Sequence, residues 1–95
     1  MDIEFADKKL EMVETDEAHK TKLPFAIIDS LRNKLGFLRG VPDERSIRSW
    51  RSLHYEKMEG EERSIRLNDQ FRLIFKIDTT CSPNKITILR IWDHD

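Results

Sequence analysis

Between Arg63 and Lys76 the chain carries four basic side chains, Arg63, Arg66, Arg72 and Lys76, against one acid, Asp69. Within this stretch Ser64 and Arg66 alternate with Ile65 and Leu67, and Arg72, Ile74 and Lys76 alternate with Phe71, Leu73, Phe75 and Ile77. Period-two alternation is the pattern of strands that turn one face to a core, so Arg66 and Arg72 belong to the opposite face. Asn68-Asp69-Gln70 supplies turn chemistry for a hairpin between the two runs, which would bring both guanidiniums to one surface. The planar, always-charged fork of arginine suits the oxygens of a phosphate. A solvated strand face presents the same pattern, so the pair alone does not decide between the two.

The elements that must position these side chains are partly legible. Ile3 and Phe5 alternate with Asp2 and Glu4 as in a short strand, and the Lys- and Glu-rich run from Asp7 to His19 predicts a polar helix with Leu10 and Val13 inward. His19 reads as neutral or structural there. Pro24 marks the start of a second helix carrying Ala26, Ile27, Leu31, Leu35 and Leu38 at helical spacing, with Gly40 as its stop. The segment DERSIRSW predicts a further short helical turn or a loop. After the hairpin, DTTCSPNK reads as a loop and ITILRIW as a third strand, from about Ile86 to Trp92. Helices followed by a three-stranded meander predict an α+β fold, with the apolar stripe of the second helix lying on the Phe71, Leu73 and Phe75 face.

The bulk numbers set limits. Ninety-five residues, 37% of them charged, predict a single domain over 1–95 with one modest core. The lone cysteine, Cys81, excludes an intramolecular disulfide framework, and no stretch approaches a membrane span, which together predict a cytoplasmic chain with no membrane partner. A formal charge of −1 does not by itself call for nucleic acid, so any basic surface must be local.

The run SLHYEKMEGEERSIRLNDQFRLIFKID, with ITILRIWDHD after it, resembles the HigB family of RelE/ParE-like toxins. That family shows a Glu-Lys-Leu-x-Gly step, then Ser-Ile-Arg-Ile-Asn-Asp-Gln-aromatic-Arg-Ile-x-Phe, and closes on Asp-Tyr-His or a relative. The corresponding pieces are Glu56 to Gly60, Ser64 to Phe75, and Asp93-His94-Asp95. Two departures stand out: the acidic run Glu59, Glu61 and Glu62 beside the arginines, and an imidazole where a phenol is common. The resemblance implies N-terminal helices packed on a curved, mainly antiparallel sheet. It also implies a HigA-like helix-turn-helix antitoxin that carries the toxin to operator DNA, and cleavage of mRNA on the ribosome with no metal or other cofactor.

Such cleavage requires a deprotonated 2′-hydroxyl, neutralised phosphate charge and a proton for the leaving 5′-oxygen. On this reading Arg66 and Arg72 take the scissile phosphate, and His94 is the general acid or base, since histidine titrates near neutrality. Lys57 is an electrostatic helper and His54 the second proton-transfer candidate, while Arg63, Lys76 and Arg90 are expected to contact RNA. Arg72 is expected to be exposed and to contribute little to stability. Trp50 and Trp92 are expected to pack at the rim of the core, with base stacking as the functional alternative. Two other functions suit the same fold: a ParE-like toxin acting on gyrase, and a degenerate member that keeps only antitoxin binding and operator regulation.

Overall fold

The computed structural model describes residues 1–93, so His94 and Asp95 lie outside the described residues. Five strands, β1 (Asp2–Phe5), β2 (Glu56–Lys57), β3 (Arg63–Arg66), β4 (Phe71–Asp78) and β5 (Lys85–Asp93), form one sheet in the order β1-β5-β4-β3-β2. The predicted meander is its centre: β3, β4 and β5 pair antiparallel. What the patterning did not show is the sheet's edges, where β1 joins parallel to β5 and the two-residue β2 joins β3. The partner of β1 is distant in sequence, which local alternation does not encode, and β2 is too short to carry a pattern.

Three α-helices lie between the first strand and the rest: α1 (Lys8–Glu11), α2 (Phe25–Gly40) and α3 (Glu44–Ser49). The helix expected from Asp7 to His19 is shorter than predicted, giving way to 3₁₀ turns at Met12–Glu14 and Ala18–Thr21. Thr15 explains the break, because its hydroxyl donates to the Met12 carbonyl (2.7 Å) and accepts from the Glu17 amide (3.1 Å). Short hydroxyl side chains compete in this way with helical hydrogen bonding. Leu10 and Val13 nevertheless point inward as expected.

Helix α2 begins immediately after Pro24 and runs through Gly40. Glycine is thus the last helical residue and not a left-handed cap. The Leu38, Arg39 and Val41 carbonyl oxygens lie within hydrogen-bond distance of the Met1 nitrogen, at 3.1, 3.0 and 2.6 Å. Asp43 caps α3, accepting from the Ser46 amide at 3.3 Å.

Ile27, Ile28, Leu31, Leu35 and Leu38 of α2 form one buried cluster with Ile65, Leu73, Phe75, Ile86 and Ile88 of the sheet, joined by Ile47 and Leu53. Each such side chain contributes up to about 1.5–3 kcal/mol through removal from water. This burial fixes which face of the sheet is covered. It also fixes the hairpin register, since Ile65 sits opposite Leu73 and a slip of one strand by one residue would turn its apolar set out of the core.

The hairpin turn reinforces that register. Asn68 Oδ1 accepts from the Gln70 and Phe71 amides at 2.8 and 2.7 Å, and the Phe71 carbonyl accepts from the Leu67 amide at 2.9 Å. We expect Asn68→Ala to lower stability by about 1–2 kcal/mol, because two backbone donors lose their partner. Urea unfolding against Asp69→Ala, which leaves both bonds in place, would measure this; equal midpoints for the two variants would show that the turn does not set the register.

Candidate active site on the open sheet face

The register places Arg66 directly opposite Arg72, Ser64 opposite Ile74, Ile74 opposite Arg90, and Arg72 opposite Trp92. All six residues therefore share the face turned away from the buried helix–sheet cluster, as the alternation predicted. Glu56 joins them through its pairing with Ser64. A bulge in β5 between the partners of Ile74 and Phe75 absorbs Leu89 and restores the alternation, so Lys76 and Thr87 also belong to this face.

Arg72 is not the exposed side chain expected from sequence. It is 9% exposed, its Nε donates to Ser64 Oγ at 3.0 Å, and its Nη2 donates to the His54 carbonyl, with Glu56 Oε2 at 3.8 Å. Long polar neighbours and the returning 54–56 segment cover it, which strand alternation could not reveal. His54 itself has φ 49° and ψ 53°, a left-handed conformation that turns its carbonyl onto the guanidinium. What the structure sets against Arg72 is thus the main chain of His54, while the residue as a whole is exposed.

Arg66 is the more open partner. Its Nη2 pairs with Asp69 Oδ1, and its Nε donates to the Asn68 carbonyl at 3.2 Å. Arg90 is held by Glu62 through both arms of its fork, Nη1 to Oε2 at 3.0 Å and Nη2 to Oε1 at 2.8 Å. The Arg90 hydrogen bond holds the Glu62 carboxyl below the usual carboxylate range, and Glu62 in turn raises Arg90, so the pair is ionised at neutral pH. Gln70 Nε2 donates to Asp93 Oδ2 at 3.1 Å at the end of the sheet, and Trp92, opposite Arg72, is 40% exposed.

Two expected site residues lie elsewhere. Lys57 and Arg63 are cross-strand partners, and Arg63 is in turn opposite Phe75, which puts both on the helix side of the sheet. Lys57 there acts electrostatically on Glu44 of α3, and Arg63 donates to the Glu62 carbonyl at 2.9 Å. One residue of alternation separates Arg63 from Ser64, and that step carries it through the sheet. Lys57, expected as an electrostatic helper, and Arg63, expected to contact RNA, thus lie on the opposite face of the sheet from Arg66 and Arg72. His94 lies outside the described residues. Trp50 packs at the core's rim, edge-on to Phe37 at 4.6 Å between ring centroids, with Lys34 Nζ 5.2 Å from its ring.

The sequence reading missed the acceptors that orient the arginines: Ser64, Glu56, Asp69 and Glu62. Asp69 was foreseeable from its position three residues after Arg66. Glu62 was not, because its partner is 28 residues away.

Comparison with known proteins bears on this arrangement. Residues 3–87 match the model of the HigB-like toxin family, described as the RelE-like toxin of the type II toxin–antitoxin system HigB. The chain belongs to the HigB-like toxin family. Toxin HigB-1 of Vibrio cholerae is 33% identical over 94 residues, covering 90% of this chain and 99% of that protein. A YoeB/ParE toxin from Agrobacterium tumefaciens has the same fold, with a TM-score of 0.61 over 100% of both chains at 10% identity. The chain is therefore a toxin of the type II toxin–antitoxin class, and an antitoxin is its implied partner. The match to the family spans Arg66 and Arg72 and stops short of Arg90. Among the described residues no helix is long and apolar enough to cross a membrane.

The two arginines should respond differently to truncation. Arg72→Ala leaves Ser64 Oγ and the His54 carbonyl without their donor in a largely dry site, and is expected to cost about 2–3 kcal/mol. Arg66→Ala removes an exposed pair and should cost less than about 1 kcal/mol. Thermal unfolding of both variants checks this; an Arg72→Ala midpoint equal to that of the wild type would contradict the structural role assigned here.

Proposed function

We propose that this toxin is a ribosome-dependent mRNA endoribonuclease whose scissile phosphate binds between Arg66 and Arg72. The observation that carries this reading is the direct cross-strand pairing of two guanidiniums on the face free of helices. Like charges placed opposite one another destabilise a sheet, so a pair kept in that register points to an anionic ligand. Arg72, fixed in plane by Ser64 and His54, supplies a preorganised donor, and Arg66, nearer solvent, closes on the other side of the phosphate.

The reaction is attack of the 2′-oxygen on the adjacent phosphorus, forming a 2′,3′-cyclic phosphate as the bond to the 5′-oxygen breaks. The proton leaves the 2′-hydroxyl to a base and another is given to the 5′-oxygen. His94 is the proposed acid or base, and His54, an exposed residue whose carbonyl holds Arg72, is the second proton carrier. Lys76 and Arg90 extend the basic track for the flanking strand. The chain's formal charge of −1 gives free RNA little long-range attraction, so the ribosome is the proposed means of presenting the message. A HigA-like helix-turn-helix antitoxin is the proposed partner. It would link the toxin to operator DNA, and the cytoplasm is the compartment where ribosome and antitoxin are met.

Cleavage of message on purified ribosomes tests the assignment. Arg66→Ala is expected to slow cleavage at least about 100-fold, since one donor aimed at developing charge has that typical worth. Arg72→Lys should keep a charge but lose the fork, with a loss of similar order. His94→Gln should cost on the order of 100-fold, and His54→Asn, which tolerates the left-handed backbone, isolates the ring from the turn. Wild-type rates for Arg66→Ala and Arg72→Lys together would remove the phosphate site. Growth arrest by the wild-type chain with message left intact would point instead to a target other than mRNA.

A further inference from the structure

The ion pair between Glu62 and Arg90 has the geometry of an occupied ligand site. Both arms of the guanidinium grip both carboxylate oxygens, at 3.0 and 2.8 Å. The same fork takes two phosphate oxygens in the same way. Arg90 is opposite Ile74, one step diagonal from the Arg72–Trp92 pair, and side chains so related on one face lie about 7–8 Å apart. That spacing suits the next phosphate of an extended strand whose scissile phosphate is at Arg72. Lys76 belongs to the same face, close enough for its charge to act on Glu62.

A purely structural purpose is a poor account of the pair. Its side chains are 49% and 27% exposed, and pairs in such settings contribute little to stability. Glu62 reaches the face from the turn between β2 and β3, which is closed by Met58 N–H donating to the Glu62 carbonyl at 2.9 Å and by Gly60 at φ 65°. Its backbone is held, so that release of Arg90 requires only a rotamer change of its side chain.

We propose that Arg90 and Lys76 form a second phosphate subsite, for the phosphodiester adjacent to the scissile one, and that Glu62 occupies it as an internal phosphate mimic which RNA displaces. The inference rests on the nuclease reading above and adds a selectivity device to it. An RNA reaching only Arg66 and Arg72 leaves Glu62 in place, whereas a strand held extended, with consecutive phosphates in register, exchanges the carboxylate for a second phosphate. Loose RNA is thereby disfavoured relative to a presented message.

A double-mutant cycle tests this with a short 2′-O-methylated RNA, which binds without being cleaved. Affinity is measured against salt concentration for the wild type, Glu62→Gln, Arg90→Ala and the double variant. Glu62→Gln is expected to bind about two- to fivefold more tightly, the range set by loss of one exposed ion pair. Its log–log salt slope should steepen by about 0.7, as for one more phosphate contact on a single strand. Both gains should vanish in the Arg90→Ala background. An unchanged affinity and slope for Glu62→Gln would overturn the proposal, as would the same gain with Arg90 absent, which would mark Glu62 as a general source of repulsion. So would failure of every variant to bind the RNA. An intact cycle combined with no cleavage of ribosome-bound message by the wild type would uphold the subsite and sink the nuclease assignment, so the two readings fail separately.

Discussion

Everything on the open face depends on one cross-strand pair, Arg66 opposite Arg72. Two like charges at that distance oppose the pairing of their own strands, and the surrounding structure offsets the cost in two ways. The far face of the same hairpin buries Ile65 against Leu73, and the burial gain there outweighs a repulsion that solvent and counterions screen. Acceptors are then supplied to each guanidinium: Asp69 and the Asn68 carbonyl for Arg66, Ser64, the His54 carbonyl and Glu56 for Arg72. The core sets the register, and the register forces the charges together.

The acceptors divide the work unequally. Arg72 is hydrogen-bonded to neutral oxygens in a nearly dry setting, with the Glu56 carboxylate farther off at 3.8 Å, so its position is determined before any ligand arrives. Arg66 and Arg90 are held by carboxylates in partly open settings, where an incoming anion competes with them on nearly equal terms. A rigid central cation flanked by two exchangeable ones is a means of demanding a particular anion spacing, because only a ligand that displaces the carboxylates gains the outer contacts. The acidic run beside the hairpin, adverse to RNA when read as bulk charge, has through Glu62 a specific partner in Arg90.

The left-handed turn at His54 shows how a short irregular segment serves the site. Leu53 is fully buried beside the core, and three residues later Glu56 must pair with Ser64 on the sheet edge. Reversing the chain in that distance puts His54 at positive φ and aims its carbonyl at Arg72. The same reversal carries Lys57 to the helix side with Arg63, away from the face that Arg66 and Arg72 share.

The sequence by itself determined the central hairpin, the face of Arg66 and Arg72, the inward stripe of α2 and the family. Each is written in local periodicity or in a contiguous motif, and local patterning is strong where one face must leave water. Tertiary structure alone decided the rest. That Arg72 is buried, that Glu62 clamps Arg90 and that β1 lies parallel on β5 all require partners brought together over long separations. The period-two rule does assign Lys57 and Arg63 to the covered side, but only once the register of β2 on β3 is known, and a two-residue strand carries too little pattern to declare it. Alternation specifies which face a side chain takes; what waits for it on that face is settled by the packing of distant segments.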